Sequence, residues 1–173
     1  MDKFIPDIYA QSIYRINYDK LKKNGIKLVV FDLDNTIAPV DVKVSSKETF
    51  DLMLKIKEIG LKPIIMSNSK KERVEPFRNH LEIDSCYFSL KPLKKNYKKI
   101  MRVYNLKNEE IACVGDQILT DILGANKMGM TSILVNPISK KDGKFTIINR
   151  KIEKIIMNNL EKKDVFKKGK YYD

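Results

Sequence analysis

Five short apolar runs, each followed by a segment of helical periodicity, constrain this chain more than any other feature of it. They occupy residues 26–31, 63–66, 86–88, 111–114 and 131–135, and apart from Lys27 none contains a charged residue. Strands so uniformly apolar must be buried on both faces, whereas a strand with one wet face would alternate. The intervening segments read as helices. Residues 47–59 space Phe50, Met53, Leu54 and Ile56 along one face before Gly60 stops the turn. Residues 70–81 form a second helix, bent near Pro76. In residues 92–104 Pro92 suits the first turn, and Tyr97, Ile100, Met101 and Tyr104 recur on one side. Residues 119–128 and 146–160 complete the set. Strands alternating with helices specify an α/β fold with a doubly wound parallel sheet.

The length of 173 residues suits one domain spanning 1–173. Its core is expected over about 24–137, with an N-terminal arm (1–23) and a C-terminal helix and basic tail (146–173). In the arm, Ile5, Ile8, Tyr9, Ile13 and Ile16 line one face of an amphipathic helix. The tail from Glu161 onward is charged and expected to fray.

All strands of a parallel sheet point the same way, so the residues just past each strand gather on one edge, where ligands bind. That edge collects Asp32-Leu33-Asp34-Asn35-Thr36, Ser67-Asn68-Ser69, Lys91, and Gly115-Asp116 with Asp121. Asp32 and Asp34, two apart in extended chain, face the same side, and two such carboxylates stay ionised only beside a cation. With Asp116 and Asp121 they form an oxygen-donor set suited to Mg2+ rather than zinc. A metal shared by Asp32 and Asp116 requires the first and fourth strands to be neighbours, so the five strands take the order 5-4-1-2-3. Ser67 and Asn68 at a helix start, and Lys91 as a point charge, suit a phosphoryl group. A carboxylate nucleophile forming an acyl phosphate fits the same constellation. Taken singly, Asp-x-Asp, Ser-Asn and Gly-Asp are more often turns and helix caps; their shared placement at strand ends favours a site.

Other chemistries have little to work with. His80 is the single histidine, which removes a zinc site or histidine triad, and Cys86 and Cys113 lie in apolar runs without a CxxC partner. The net charge is +12, concentrated in residues 91–107, where seven cations meet no acid, and in residues 140–173. Such surfaces are often merely solvated, or they attract a polyanion or an anionic membrane.

The four strand-end motifs resemble those of the haloacid dehalogenase superfamily of phosphatases. Asp32-Leu33-Asp34-Asn35-Thr36 is similar to its Asp-x-Asp-x-Thr motif, Ser67 to the second, Lys91 to the third, and Gly115-Asp116 through Asp121 to the acidic fourth. The resemblance implies a Rossmann-like core with Asp32 as nucleophile, Asp34 as general acid/base and an acidic metal-binding pair. Phe4-Ile5-Pro6-Asp7-Ile8-Tyr9 further resembles the YqeG-like group (subfamily IIIA), which is similar to phosphatidylglycerophosphate phosphatases. Only 32 residues separate Asp34 from Ser67, and 23 separate Ser67 from Lys91. Each gap holds one helix and one strand, so a capless enzyme is expected.

Three functions compete at this stage. The first is a phosphatase of lipid phosphate at an anionic membrane surface, with the arm and the basic helices as contacts. The second is a phosphatase of soluble or macromolecular substrates, either nucleic-acid ends or phosphoproteins. Tyr97 and Tyr104 alone interleave the 91–107 cations, so base stacking is poorly supported. The third is a non-catalytic binding module, which the intact motifs argue against. No apolar run is long enough to span a bilayer, and no secretion signal precedes the first strand, so a cytoplasmic protein, peripheral at most to the inner membrane surface, is expected.

Overall fold

The computed structural model describes residues 2–142 and 144–173. Six strands, β1 (Ile8–Ala10), β2 (Leu28–Phe31), β3 (Lys62–Met66), β4 (Asp84–Cys86), β5 (Ile111–Gly115) and β6 (Thr131–Val135), form one sheet in the order β1-β6-β5-β2-β3-β4. Every neighbouring pair is parallel. The five expected strands therefore lie in the expected order, with β2 at the centre between β5 and β3. Phe31 pairs with Val114 on one side and Ile65 on the other. This register brings the ends of the three strands level, so the residues after them converge.

Among the described residues six helices cover the sheet: α1 (Tyr18–Lys23), α2 (Lys47–Glu58), α3 (Lys71–Leu81), α4 (Lys94–Tyr104), α5 (Leu123–Met128) and α6 (Lys144–Lys162). Val29 and Phe31 point from β2 into a layer completed by Met53 and Ile56 of α2, and by Val74, Phe77 and Leu81 of α3. Leu28 and Val30 point the other way, onto Tyr97 and Ile100 of α4 and Ala125 of α5. Two-sided burial is what the uncharged strand sequences require. Between Asp34 and Ser67 lie only α2 and β3, and between Ser67 and Lys91 only α3 and β4. Neither of these described segments holds an inserted cap domain.

Five local expectations are corrected. The arm is not an amphipathic helix: two short 3-10 turns flank β1, which adds to the sheet beside β6. A helix of a dozen residues is marginal in water, and the open edge of β6 offers hydrogen bonds that tie the arm down instead. Tyr9, Ile13 and Ile16 are consequently buried. The C-terminal tail is not frayed. Tyr9 and Tyr172 exchange backbone hydrogen bonds of 2.8 and 2.9 Å, Phe166 is buried, and the Tyr9 ring packs on Phe166 and Tyr171. Aromatic contacts outweigh the tail's charge. The edge strand β4 begins earlier than the 86–88 run, which leaves Tyr87 and Phe88 exposed, and α4 begins at Lys94 with Leu93 as its N-cap, beyond Pro92. Residues 118–122 form a π turn that leads into α5. No helix among the described residues is long and apolar enough to cross a membrane.

Because Ile13 is 1% exposed within the main core cluster, the substitution Ile13→Ala should lower the unfolding free energy by about 2–5 kcal/mol. Urea denaturation measures this, and wild-type stability in the variant would return the arm to the surface.

Candidate active site

The loop after β2 is folded so tightly that its acids have little choice of direction. The backbone N–H groups of Thr36, Ile37 and Ala38 all turn back to the carbonyl of Leu33, and Asn35 takes a φ of 63°, a left-handed position that asparagine tolerates well. The Asp32 N–H donates to the carbonyl of Val114, which continues the β2–β5 ladder by one residue. Asp32 is thereby placed over the seam between the two central strands. The Asn35 side chain donates to the Lys141 carbonyl and accepts from Ser139 Oγ, joining this loop to the segment that leads into α6.

Lys91 arrives from the opposite side on the loop between β4 and α4. Asn68, just past β3, holds that loop: its Oδ1 accepts from the Lys91 N–H (2.7 Å) and from Ser89 Oγ (2.8 Å), and its Nδ2 donates to the Lys91 carbonyl (3.1 Å). Expected as a phosphate ligand, Asn68 is engaged with the turn that carries Lys91. The Lys91 ammonium then lies 2.6 Å from Asp32 Oδ1 and 2.7 Å from Asp121 Oδ1. These three side chains are 3%, 8% and 3% exposed. Asp121 packs this deep because residue 115 is glycine. A Cβ there would stand 2.2 Å from Asp121 Cγ, closer than any real contact. The Gln117 N–H also donates to Asp121 Oδ2.

Asp116, at the end of β5, accepts from Thr36 Oγ1 and pairs with Arg150 of α6. Arg150 also donates to the Asp116 carbonyl and to Glu153, whose other oxygen accepts from the N–H of Leu119. Oxygens of Asp32, Asp116 and Asp121 all lie within 4.8 Å of one another. Burial is the main force that lifts the Asp32 carboxyl to about 8; Lys91 opposes it, and the neighbouring Asp121 and Asp116 add to it. Burial likewise lifts Asp116 to about 7 against the pull of Arg150. Burial also disfavours the Lys91 charge, but Asp121 and Asp32 together hold its ammonium above the usual lysine range. Lys91 and Arg150 thus meet five acids, since Arg150 also pairs with Asp142 and Glu153, and this excess of carboxyls adds to the burial that favours protonation of Asp32 and Asp116. A hard divalent cation on these oxygens would relieve it, and the all-oxygen set fits Mg2+.

The fourth expected acid lies apart. Asp34 accepts from Ser69 Oγ (2.6 Å) and from Arg73 Nε (2.9 Å) of α3, with Arg73 Nη2 also 2.9 Å away. Its carboxylate is outside the three-acid group. Arg73 additionally donates to the carbonyls of Pro39 and Val42. Ser67 is 1% exposed, and its Oγ accepts from the N–H of Ser69. Reading the sequence by strand ends missed Arg73 and Arg150. Arg73 had a usable signal, since the first turn of a helix after a parallel strand abuts the functional edge; Arg150 reaches the site only through tertiary packing.

A family model described as mitochondrial PGP phosphatase matches residues 1–139. The probable phosphatase YqeG of Bacillus subtilis is 36% identical over 160 residues, covering 92% of this chain and 93% of that protein. Phosphatidylglycerophosphate phosphatase 1 of Arabidopsis thaliana is 24% identical over 155 residues, covering 83% of this chain but 44% of that protein. Among solved structures, a putative haloacid dehalogenase superfamily (subfamily III A) hydrolase from Legionella pneumophila shares the fold, with a TM-score of 0.53 at 18% identity, over 70% of this chain and 72% of that one. A family match across most of the sequence and a relative aligned nearly end to end show that the chain belongs to the mitochondrial PGP phosphatase family and is a phosphatase, and its fold is that of the haloacid dehalogenase hydrolases.

Proposed function

We propose that the protein hydrolyses a lipid phosphomonoester of the phosphatidylglycerophosphate class through an aspartyl-phosphate intermediate on Asp32, with Mg2+ as cofactor. The observation that carries this reading is the buried ion group itself: Asp32 fixed by Lys91, with Asp116 and Asp121 within reach of the same cation.

Lys91 takes Asp32 Oδ1, and Oδ2 has no hydrogen-bond partner among the described residues. In the proposed reaction Oδ2 attacks phosphorus in line with the ester oxygen, an Asp32–phosphorus bond forms, and the phosphorus–oxygen ester bond breaks. Asp34 lies on the exposed side of the loop and donates a proton to the leaving alkoxide. It then removes a proton from the water that cleaves the acyl phosphate, which returns both acids to their starting state. Between these steps Arg73 and Ser69 hold the Asp34 carboxylate in place. Ser67 and Lys91 bind the phosphoryl oxygens. When bound by Asp32, Asp116 and Asp121, Mg2+ supplies positive charge to those same oxygens.

The family match and the Arabidopsis relative support the lipid substrate, and so does the absence of an inserted cap, which leaves the site edge open to a substrate whose tail lies outside the protein. Phosphate release from phosphatidylglycerophosphate micelles, nucleotides and phosphopeptides, compared at equal magnesium, tests the assignment. Turnover of the soluble substrates alone would reject the lipid.

Asp32→Asn should retain less than about a hundredth of wild-type turnover, because an amide is a poor nucleophile and loss of acid–base help alone costs about 10²–10⁴. A correctly folded variant above that level would remove Asp32 as nucleophile. Asp116→Asn should raise the magnesium concentration needed for half-maximal activity, and EDTA should silence the wild type reversibly.

The raised carboxyls also link stability to pH. Asp32 at about 8 and Asp116 at about 7 hold protons in the folded state that the unfolded chain, with ordinary aspartates near 3.8, has released. The ion-free protein should therefore lose stability as pH rises from about 5 to about 8.5, and saturating magnesium should raise its melting temperature more at the higher pH. A flat ion-free profile, or an equal magnesium effect at both ends, contradicts the shared metal site.

A further inference from the structure

The turn that inserts Lys91 into the site also holds three large apolar side chains out in water. Phe88 and Leu93 are each 58% exposed and Leu90 is 46% exposed, while Ser89 and Lys91 between them are buried. Phe88 and Leu90 have φ values of 48° and 55°, a left-handed backbone that bulky residues avoid. Their neighbours impose it: the Phe88 N–H donates to the Ser69 carbonyl, the Ser89 N–H to the Ser67 carbonyl, and Asn68 grips both Ser89 and Lys91. The chain alternates in and out, with a site residue inward and an apolar one outward.

The helix that follows adds charge of one sign. Lys94, Lys95, Lys98, Lys99 and Arg102 are all exposed, and α4 contains no acid. Among the described residues none of the five is paired with a carboxylate. At 3.6 residues per turn they share one side of α4, opposite the packed Tyr97, Ile100 and Tyr104. Exposed apolar side chains beside unpaired cations match the headgroup boundary of an anionic bilayer, where the former insert and the latter meet phosphates.

We propose that Phe88, Leu90 and Leu93, backed by the cations of α4, are the surface by which this protein sits on an anionic bilayer, with Lys91 and Asp32 facing phosphate in the headgroup layer. The inference rests on the lipid-phosphate reading in one respect: a phosphate anchored by acyl chains stays in the headgroup layer, so the site edge must come to it, and this loop is part of that edge. Tyr9, Ile13 and Ile16 of the N-terminal arm are buried in the fold and are not available for the contact.

The double variant Phe88→Asn, Leu93→Ser removes two apolar side chains while suiting the backbone better. Asparagine tolerates the left-handed conformation, and serine is a preferred residue at the N-cap of α4, where Leu93 makes no side-chain cap bond. Its melting temperature should match or exceed wild type, and turnover of a soluble aryl phosphate should stay within about twofold. Co-sedimentation with phosphatidylglycerol vesicles should weaken by about tenfold or more, and wild-type binding should fall as salt is added. As a control, Ile148→Ser with Ile155→Ser on α6 removes another exposed apolar pair and should leave vesicle binding intact. Wild-type protein that ignores these vesicles at low salt, a double variant that binds as well as wild type, or an equal loss from the α6 pair overturns the assignment. A wild type that binds vesicles through this loop yet leaves the lipid phosphate unhydrolysed upholds the docking surface and rejects the lipid substrate.

Discussion

Lys91 carries a full positive charge into a site where its side chain is 3% exposed, and it remains there because Asp32 and Asp121 stand within 2.7 Å of it. Removing an ammonium from water costs several kcal/mol, which Coulomb attraction offsets only when geometry is good and each remaining donor and acceptor is satisfied. Much of the local architecture supplies that geometry. Asn68 clamps the turn on either side of the lysine, Gly115 leaves room for Asp121, and the N–H of Gln117 steadies the outer oxygen of Asp121. The group is also unforgiving: loss of one charge leaves its partners buried and unbalanced. A residue such as Asn68 can therefore matter to the site without touching a substrate.

Two arginines extend the network outward in different directions. Arg150 joins Asp116 to Asp142 and Glu153, which pins the first half of α6 over the end of β5. Arg73 joins Asp34 to the carbonyls of Pro39 and Val42, which braces the segment leading to α2. Asp34 is thus kept near the reacting edge by a cation of its own, away from the three acids on Lys91 and Arg150. Two carboxylates only two residues apart occupy different electrostatic settings, one buried and pushed toward its neutral form, the other partly exposed and ion-paired. In the proposed reaction a divalent cation on Asp32 would offset the push toward neutrality and restore the ionised carboxylate that a nucleophile needs.

The sheet was legible in the sequence because a strand buried on both faces has no room for polar residues, so the runs from Leu28 to Phe31 and from Ile111 to Val114 stand out from their surroundings. Their adjacency was legible too, from the expectation that Asp32 and Asp116 share a cation. Gathering the strand-end residues on one edge followed from parallel topology alone. The N-terminal strand was hidden, since three residues between short turns leave a spacing at Ile8, Tyr9 and Ile13 that fits a helix equally well. The tail was hidden because what orders it is Tyr172 meeting Tyr9 from the far end of the chain. Asn68 and Arg150 show a further limit. Whether a polar side chain faces a ligand, a backbone or another charge depends on where distant loops pass, and no local pattern encodes that.

The uncovered edge leaves a physical question that the fold itself frames. Electrostatic stabilisation of a transferring phosphoryl group is strongest where water is excluded, a task that a cap often performs by closing over the substrate. Here α2 with β3, and α3 with β4, use up the segments in which such a cap would lie. Asp32, Lys91, Asp116 and Asp121 are buried, so the protein itself would keep bulk water from beneath a bound phosphoryl group. On the open side, the partly exposed Asp34 and the turn bearing the exposed Phe88 and Leu90 are joined through Ser69, which donates to Asp34 and accepts from the Phe88 N–H. Desolvation of that side therefore falls to whatever the protein faces during turnover. On the proposed lipid reading a headgroup layer in close contact with the turn would serve, because it would bring the substrate and displace water in the same step.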